Sequence, residues 1–392
     1  MSRSKRLLAL AVSSALSAPL LSMGQAANPP SPAVTSQRPN DADAQKASAS
    51  QPPSLPPLMI PPMTTEGAKP SDLKMAKPEA QMQAVLDALA SLHGKAIESL
   101  SAAEARLQPG PADAVKKILV SKNKPTQEPV EKVEDKTITA ATGDLKTRVY
   151  TPKGSGPFPV LVYFHGGGWV IADIDAYDAS CRALANLAQC VVLSVDYRRA
   201  PESPFPAAAD DAFAATQWAM LHANDLNGIP GKVAVGGESA GGNLAAVVCL
   251  MCRDRKATPP VHQLLVYPVV DNDMNRTSYI ENADAKPLNR AMMPWFTRQY
   301  LPNDSDANNP YAFPLKAQSL AGLPSTTIIA AEIDPLRSEG QAYADKLKAS
   351  GVSVKYELYK GATHEFFGMG AVFDRARDAE EAAATELKSA FK

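Results

Sequence analysis

Lys232-Val-Ala-Val-Gly-Gly-Glu-Ser-Ala-Gly-Gly242 decides the fold. The apolar run Lys232 to Val235 reads as a strand, and Gly241 to Arg253 reads as a helix. Between them, Gly237-Glu238-Ser239-Ala240-Gly241 supplies what a sharp strand-to-helix turn needs: glycines where backbones crowd, and a serine at the tip. Read alone, the five residues are equally a glycine-rich turn with a capping serine. The rest of the chain has to decide.

Upstream, Pro159 to Phe164 is an apolar strand that runs straight into His165-Gly166-Gly167-Gly168-Trp169. Three consecutive glycines leave backbone N–H groups able to approach a ligand atom closely. The run lacks the Gly-Lys-Ser/Thr ending of a phosphate loop and does not open directly into a helix, so its natural partner is the Ser239 turn. Around these two segments strands and helices alternate. Val130 to Ala140 and Leu145 to Tyr150, separated by Thr142, Gly143 and Asp144, read as an antiparallel pair. Cys190 to Val195, Val261 to Tyr267, Thr326 to Ala331 and Val352 to Tyr359 are further short apolar strands, and helical patterns lie between them. This order implies an α/β fold, a mostly parallel central sheet flanked by helices. Residues 81–125 are helical, and 271–300 hold Trp295, Phe296 and Tyr300 in a long break between strands; both segments read as a cap over the sheet's carboxyl edge.

A serine nucleophile needs a base, and with an elbow of this kind the acid and the base follow it in the chain. Of five histidines only His262 and His364 lie beyond Ser239. His262 opens a buried strand, whereas His364 follows one, in the loop Gly361 to Glu365, so His364 is the expected base. Asp334 follows Thr326 to Ala331 and precedes Pro335, whose fixed φ shapes the turn, so it is the expected acid. Glu332 and Asp271 are its rivals.

These residues, with Tyr197-Arg-Arg-Ala-Pro-Glu202, Phe205-Pro-Ala-Ala208, Gly242-Asn-Leu-Ala-Ala246 and Asp334-Pro-Leu336, resemble the hormone-sensitive lipase family of α/β-hydrolases, the bacterial family IV esterases. The resemblance covers the chain from about Gln81 to its end. It implies an α/β-hydrolase fold with a helical cap and hydrolysis of small carboxylic esters through an acyl-enzyme, with Ser239, Asp334 and His364 as triad. It implies an oxyanion hole from the amides of Gly166, Gly167, Gly168 and Ala240, and neither metal nor organic cofactor. Amidase, lactonase or carbohydrate deacetylase chemistry on the same triad stays open, as does a non-catalytic binder of the same fold. Three positions depart from the family's usual residues: Arg199 for Leu, Glu365 for Gly after the histidine, and Ser338 for an acid. Glu238 reads as a structural carboxylate.

Composition narrows partners and place. Forty basic against 41 acidic residues give a net charge of −1, which offers no field for nucleic acid. The expected partner is a small ester substrate, and a homodimer is compatible with the sequence. Arg3, Lys5 and Arg6 precede the apolar run Leu7 to Leu21, and Gly24-Gln-Ala26 fits a cleavage site, so residues 1–26 read as a signal peptide. The expected location is secreted or periplasmic, without stable membrane insertion after cleavage. Twelve of the 34 prolines fall in residues 27–80, which read as a disordered spacer ahead of a hydrolase domain at 81–392. Cys249-Leu-Met-Cys252 sits inside a helix and reads as buried thiols; Cys181 lies on a helix and Cys190 starts a strand, so their pairing in an oxidising compartment stays open.

Overall fold

The computed structural model describes residues 74–392. The signal peptide expected at 1–26 and residues 27–73 of the expected spacer lie outside the described residues. Within them the chain runs α1 (Ala80–Ala90), α2 (Ala102–Ala105), α3 (Pro111–Ser121), β1 (Lys132–Ala140), β2 (Gly143–Thr151), β3 (Phe158–Phe164), α4 (Asp178–Ala188), β4 (Val191–Asp196), α5 (Ala207–Leu221), β5 (Gly228–Glu238), α6 (Ala240–Asp254), β6 (His262–Val266), α7 (Thr277–Glu281), α8 (Met292–Tyr300), β7 (Ser325–Ile333), α9 (Arg337–Ala349), β8 (Val354–Thr363) and α10 (Asp374–Ala390). The strands form one sheet in the order β1-β2-β4-β3-β5-β6-β7-β8. Only the pairings of β2, with β1 and with β4, are antiparallel.

The pleat explains why the central strands are apolar throughout. Val160, Val162 and Phe164 of β3 join one core with α5, α6 and α9, while Leu161 and Tyr163 face the opposite core with α1, α4 and α10. A strand buried on both faces has no polar side to show. The expected mostly parallel sheet flanked by helices is borne out. Among the described residues no helix is long and apolar enough to cross a membrane.

Boundaries moved at three places, each for a local reason. The β1–β2 hairpin turns on Ala141-Thr142, because Ala140 pairs with Gly143 and Thr139 with Asp144. Strand β5 continues through Glu238 to meet Ser239 directly. Strand β8 reaches Thr363, so His364 follows it without a loop; Lys360, Gly361 and Ala362 bulge out between the pairs Ala331–Tyr359 and Ile333–Thr363, with Gly361 at φ 69°.

The N-terminal segment is tied to that same strand end. Glu79 N–H donates to the Gly361 carbonyl at 3.0 Å, and the Thr363 hydroxyl lies 3.5 Å from the Met82 sulfur. Further on, Arg106 donates to the carbonyls of Val170 and Ala200, both at 2.8 Å, and pairs with Glu202 at 2.6 Å. Trp295 Nε1–H donates to the Leu100 carbonyl at 3.0 Å, which joins α8 to the segment before α2.

Candidate active site

Strand β5 ends and α6 begins with one residue between them, and that residue is Ser239. Its backbone sits at φ 55° and ψ −116°, a strained conformation for a non-glycine residue. Ser239 N–H donates to Val266 O at 2.9 Å and Ser239 O accepts from Val269 N–H at 3.2 Å, so the neighbouring strand end holds the turn. The flanking glycines are required by space. A Cβ on Gly241 would overlap the carbonyl oxygen of Phe164, and one on Gly237 would meet the backbone of Gly241. Asn243, one turn into α6, donates to the carbonyls of Val269 and Ala312 at 2.9 and 2.8 Å and ties the segment after β6 to the helix.

His364 Nε2 lies 3.0 Å from Ser239 Oγ, and His364 Nδ1 lies 2.7 Å from Asp334 Oδ2. All three side chains are buried. Asp334 can only accept when ionised, so Nδ1 carries the hydrogen and Nε2 is left with a lone pair toward the serine hydroxyl. Burial pulls the His364 pKa down, but the charge and hydrogen bond of Asp334, with Glu365 and Glu238 behind it, outweigh burial and hold it above the ordinary histidine value.

The rivals are occupied elsewhere. Glu332 accepts from Gly361 N–H at 2.8 Å, and Asp271 pairs with Lys316 at 2.9 Å and accepts from Arg276 Nε at 3.0 Å. His262 is held by the hydroxyls of Ser325 and Thr327 at 2.8 and 3.1 Å.

The glycine run after β3 passes beside the serine. Gly167 and Gly168 take φ of 92° and 58°, and a Cβ on Gly168 would overlap the Phe296 ring. Among the described residues the amides of Gly166, Gly167 and Gly168 donate to no backbone or side-chain acceptor, and the Ala240 amide, first in α6, has no acceptor within its helix. His165 orients the run. Burial pulls its pKa down to about 4, so the ring is neutral and donates from Nδ1 to Gly166 O at 2.8 Å; its face stacks on Tyr197 at 4.2 Å.

Ser239, His364, Gly167 and Gly168 line a cavity of about 1270 Å³ whose walls include Ile97 and Arg106 on one side and Leu288, Met292, Met293 and Phe296 on the other. Both segments expected to cap the sheet thus contribute walls.

A model of the alpha/beta hydrolase fold matches residues 161–368. The chain belongs to that family. The resemblance to hormone-sensitive-lipase-type hydrolases is thereby borne out. Over 243 residues, 60% of the chain, this hydrolase is 44% identical to the carboxylic ester hydrolase LipN of Mycobacterium tuberculosis, and it spans 65% of LipN's length. It is 33% identical over 249 residues to an ethyl acetate hydrolase of Pseudomonas putida, covering 62% of this chain and 78% of that one. The structure of a hyperthermophilic esterase from Pyrobaculum calidifontis superposes with a TM-score of 0.73 at 38% identity, covering 80% of this chain and 99% of that one.

The sequence gives no sign of several partners at the site. Glu238 is buried and accepts from the Tyr163 hydroxyl at 2.6 Å and from that of Tyr267, a structural carboxylate as expected. Burial, and then the charge of Glu365, push its pKa up to about 8. Tyr177 donates to Glu365 across 188 residues, and nothing local in the chain announces that pair. The departures found places: Arg199 donates to the Ala172 carbonyl, and Ser338 exchanges hydrogen bonds with Ser278 at 3.1 and 3.0 Å, tying α7 to α9. All four cysteines are buried and free, Cys181 and Cys190 included. Among the described residues no cluster of His, Cys, Asp or Glu could hold a metal ion.

Proposed function

We propose that this protein is a serine carboxylesterase acting on small, uncharged, short-acyl esters. The reaction class, carboxylic ester hydrolysis, is that of its relatives, and the observation that carries the reading is the buried chain Asp334–His364–Ser239 at the wall of a cavity. His364 Nε2 takes the Ser239 proton as Oγ bonds to the ester carbonyl carbon, and the carbonyl electron pair moves to oxygen. Amides of Gly167, Gly168 and Ala240 receive that charge, each contributing about 3 kcal/mol in the transition state. The ester C–O bond then breaks, and the proton on His364 passes to the departing alkoxide. Water repeats the sequence on the acyl-serine, giving the acid and the free hydroxyl. The near-zero net charge and the apolar walls Leu288, Met292 and Phe296 support small uncharged esters over charged ones.

The test is turnover of a short p-nitrophenyl ester together with labelling by a fluorophosphonate. Wild type is expected to hydrolyse the ester and to carry the label on Ser239, and Ser239→Ala to lose label and about 10⁴-fold or more of the activity. Undiminished activity in Ser239→Ala would overturn the assignment. On the pattern of residues 1–26 we also propose export, checked by whether the mature chain from the source cell starts at Ala27.

A further inference from the structure

Glu365 stands next to the base, yet Asp334 alone orients the imidazole. Its backbone takes φ 65°, a left-handed conformation that glycine adopts freely and a glutamate only under strain. Strain of this kind persists where the side chain has work to do. The carboxylate faces the cavity that holds Ser239 and His364, and it is 19% exposed against 3% for His364. Among the described residues one hydrogen-bond donor reaches it: the Tyr177 hydroxyl lies 2.8 Å from each oxygen. A single hydroxyl proton leaves most of the acceptor capacity of a carboxylate free. Among the described residues no lysine or arginine pairs with it. Burial raises its pKa, and Asp334 adds to this, against the pull of His364 and Tyr177, which marks a group short of stabilising donors.

Position gives the missing donor an origin. The departing alcohol oxygen must come within hydrogen-bond reach of His364 Nε2 to take its proton, and Glu365 Oε1 is 3.7 Å from that nitrogen. Substituents two or three bonds beyond the ester oxygen therefore pass the carboxylate. We propose that Glu365 is a specificity residue for the alcohol half of the ester, selecting alcohols that carry a second hydroxyl, as in monoesters of glycols and polyols. An alkyl alcohol in the same place covers the carboxylate without a donor, and a site built to bond a hydroxyl rejects the analogue lacking it.

This inference rests on the esterase reading, and the experiment separates the two. The measured quantity is the ratio of kcat/KM for 2-hydroxyethyl acetate to that for propyl acetate, esters of equal heavy-atom count. Effects on the triad or the oxyanion hole change both rates and cancel in the ratio. In wild type the ratio is expected to be about ten or more. It should fall toward one in Glu365→Gly, which accepts the backbone conformation without strain, and in Glu365→Asn, which tolerates it but stops short of the alcohol. A wild-type ratio near one, or an unchanged ratio in both variants, overturns the inference alone. Failure of wild type to hydrolyse either ester, with Ser239 unlabelled by fluorophosphonate, overturns the esterase reading with it.

Discussion

Asp334 divides its carboxylate between His364 and the backbone: Oδ2 lies 2.7 Å from His364 Nδ1, while Oδ1 accepts the Leu336 N–H at 2.8 Å. The second bond fixes the plane of the first. Pro335, between them, cannot donate, so Leu336 offers the nearest amide past the turn.

Asp334→Asn should therefore keep the fold and lose about 10³–10⁴-fold in kcat, because an amide facing Nδ1 favours the wrong tautomer. The base must be neutral to act, so wild-type kcat/KM should rise with pH through a pKa above the ordinary 6.5 of histidine. In the variant the charge that raises that pKa is gone and burial prevails, so the acid limb should move to lower pH. A pH–rate profile checks both, and an unmoved limb would refute the assignment of Asp334.

Glu332→Gln is the matching control. Its carboxylate accepts from Gly361 N–H, a bond the glutamine carbonyl can replace, so activity should stay within about threefold of wild type. A loss comparable to that of Asp334→Asn would make Glu332 the acid.

At Gly168 an added methyl meets both a φ of 58° and the Phe296 ring. Gly168→Ala should lower kcat/KM by about 10²-fold or more through displacement of an oxyanion donor. Adding Phe296→Ala should recover part of the loss, since it removes the clash but not the backbone strain. Initial rates on one ester, with circular dichroism to confirm folding, decide it.

Glu339 is fully buried and bonded by Val270 N–H at 2.8 Å and by the Tyr279 hydroxyl at 3.0 Å; burial, partly opposed by those bonds, pushes its pKa up to about 8. A carboxyl raised in the folded state binds more protons there than in the unfolded chain between about pH 4.5 and 8, so unfolding free energy falls as pH rises across that window. Urea denaturation at pH 5 and pH 8 should show wild type less stable at the higher pH. Glu339→Gln, which cannot ionise, should show a smaller difference.

Much of this was legible in the chain because it is local. The Ser239 turn and the glycine run after β3 each lie within a dozen residues, and their spacing is the chemistry. His364 and Asp334 were reachable because chain order restricts the candidates. The pairs that shape the site's far wall were not legible: Tyr177 meets Glu365, and Tyr163 and Tyr267 close on Glu238, through contacts between segments far apart in the chain. No periodicity records which tyrosine on a buried face carries its hydroxyl to which carboxylate. The end of β8 reads as loop for a related reason: Gly361 does take a turn-like φ of 69°, but in a bulge after which Thr363 pairs again with Ile333 of β7.

The bond from Glu79 N–H to Gly361 O makes the start of the catalytic domain a splint for its last catalytic segment. Gly361 is three residues before His364, so a chain shortened to begin at Ala80 would strip a partner from the strand end that carries the base while leaving every catalytic side chain in place. The damage would surface as a histidine that wanders, in a protein that still folds.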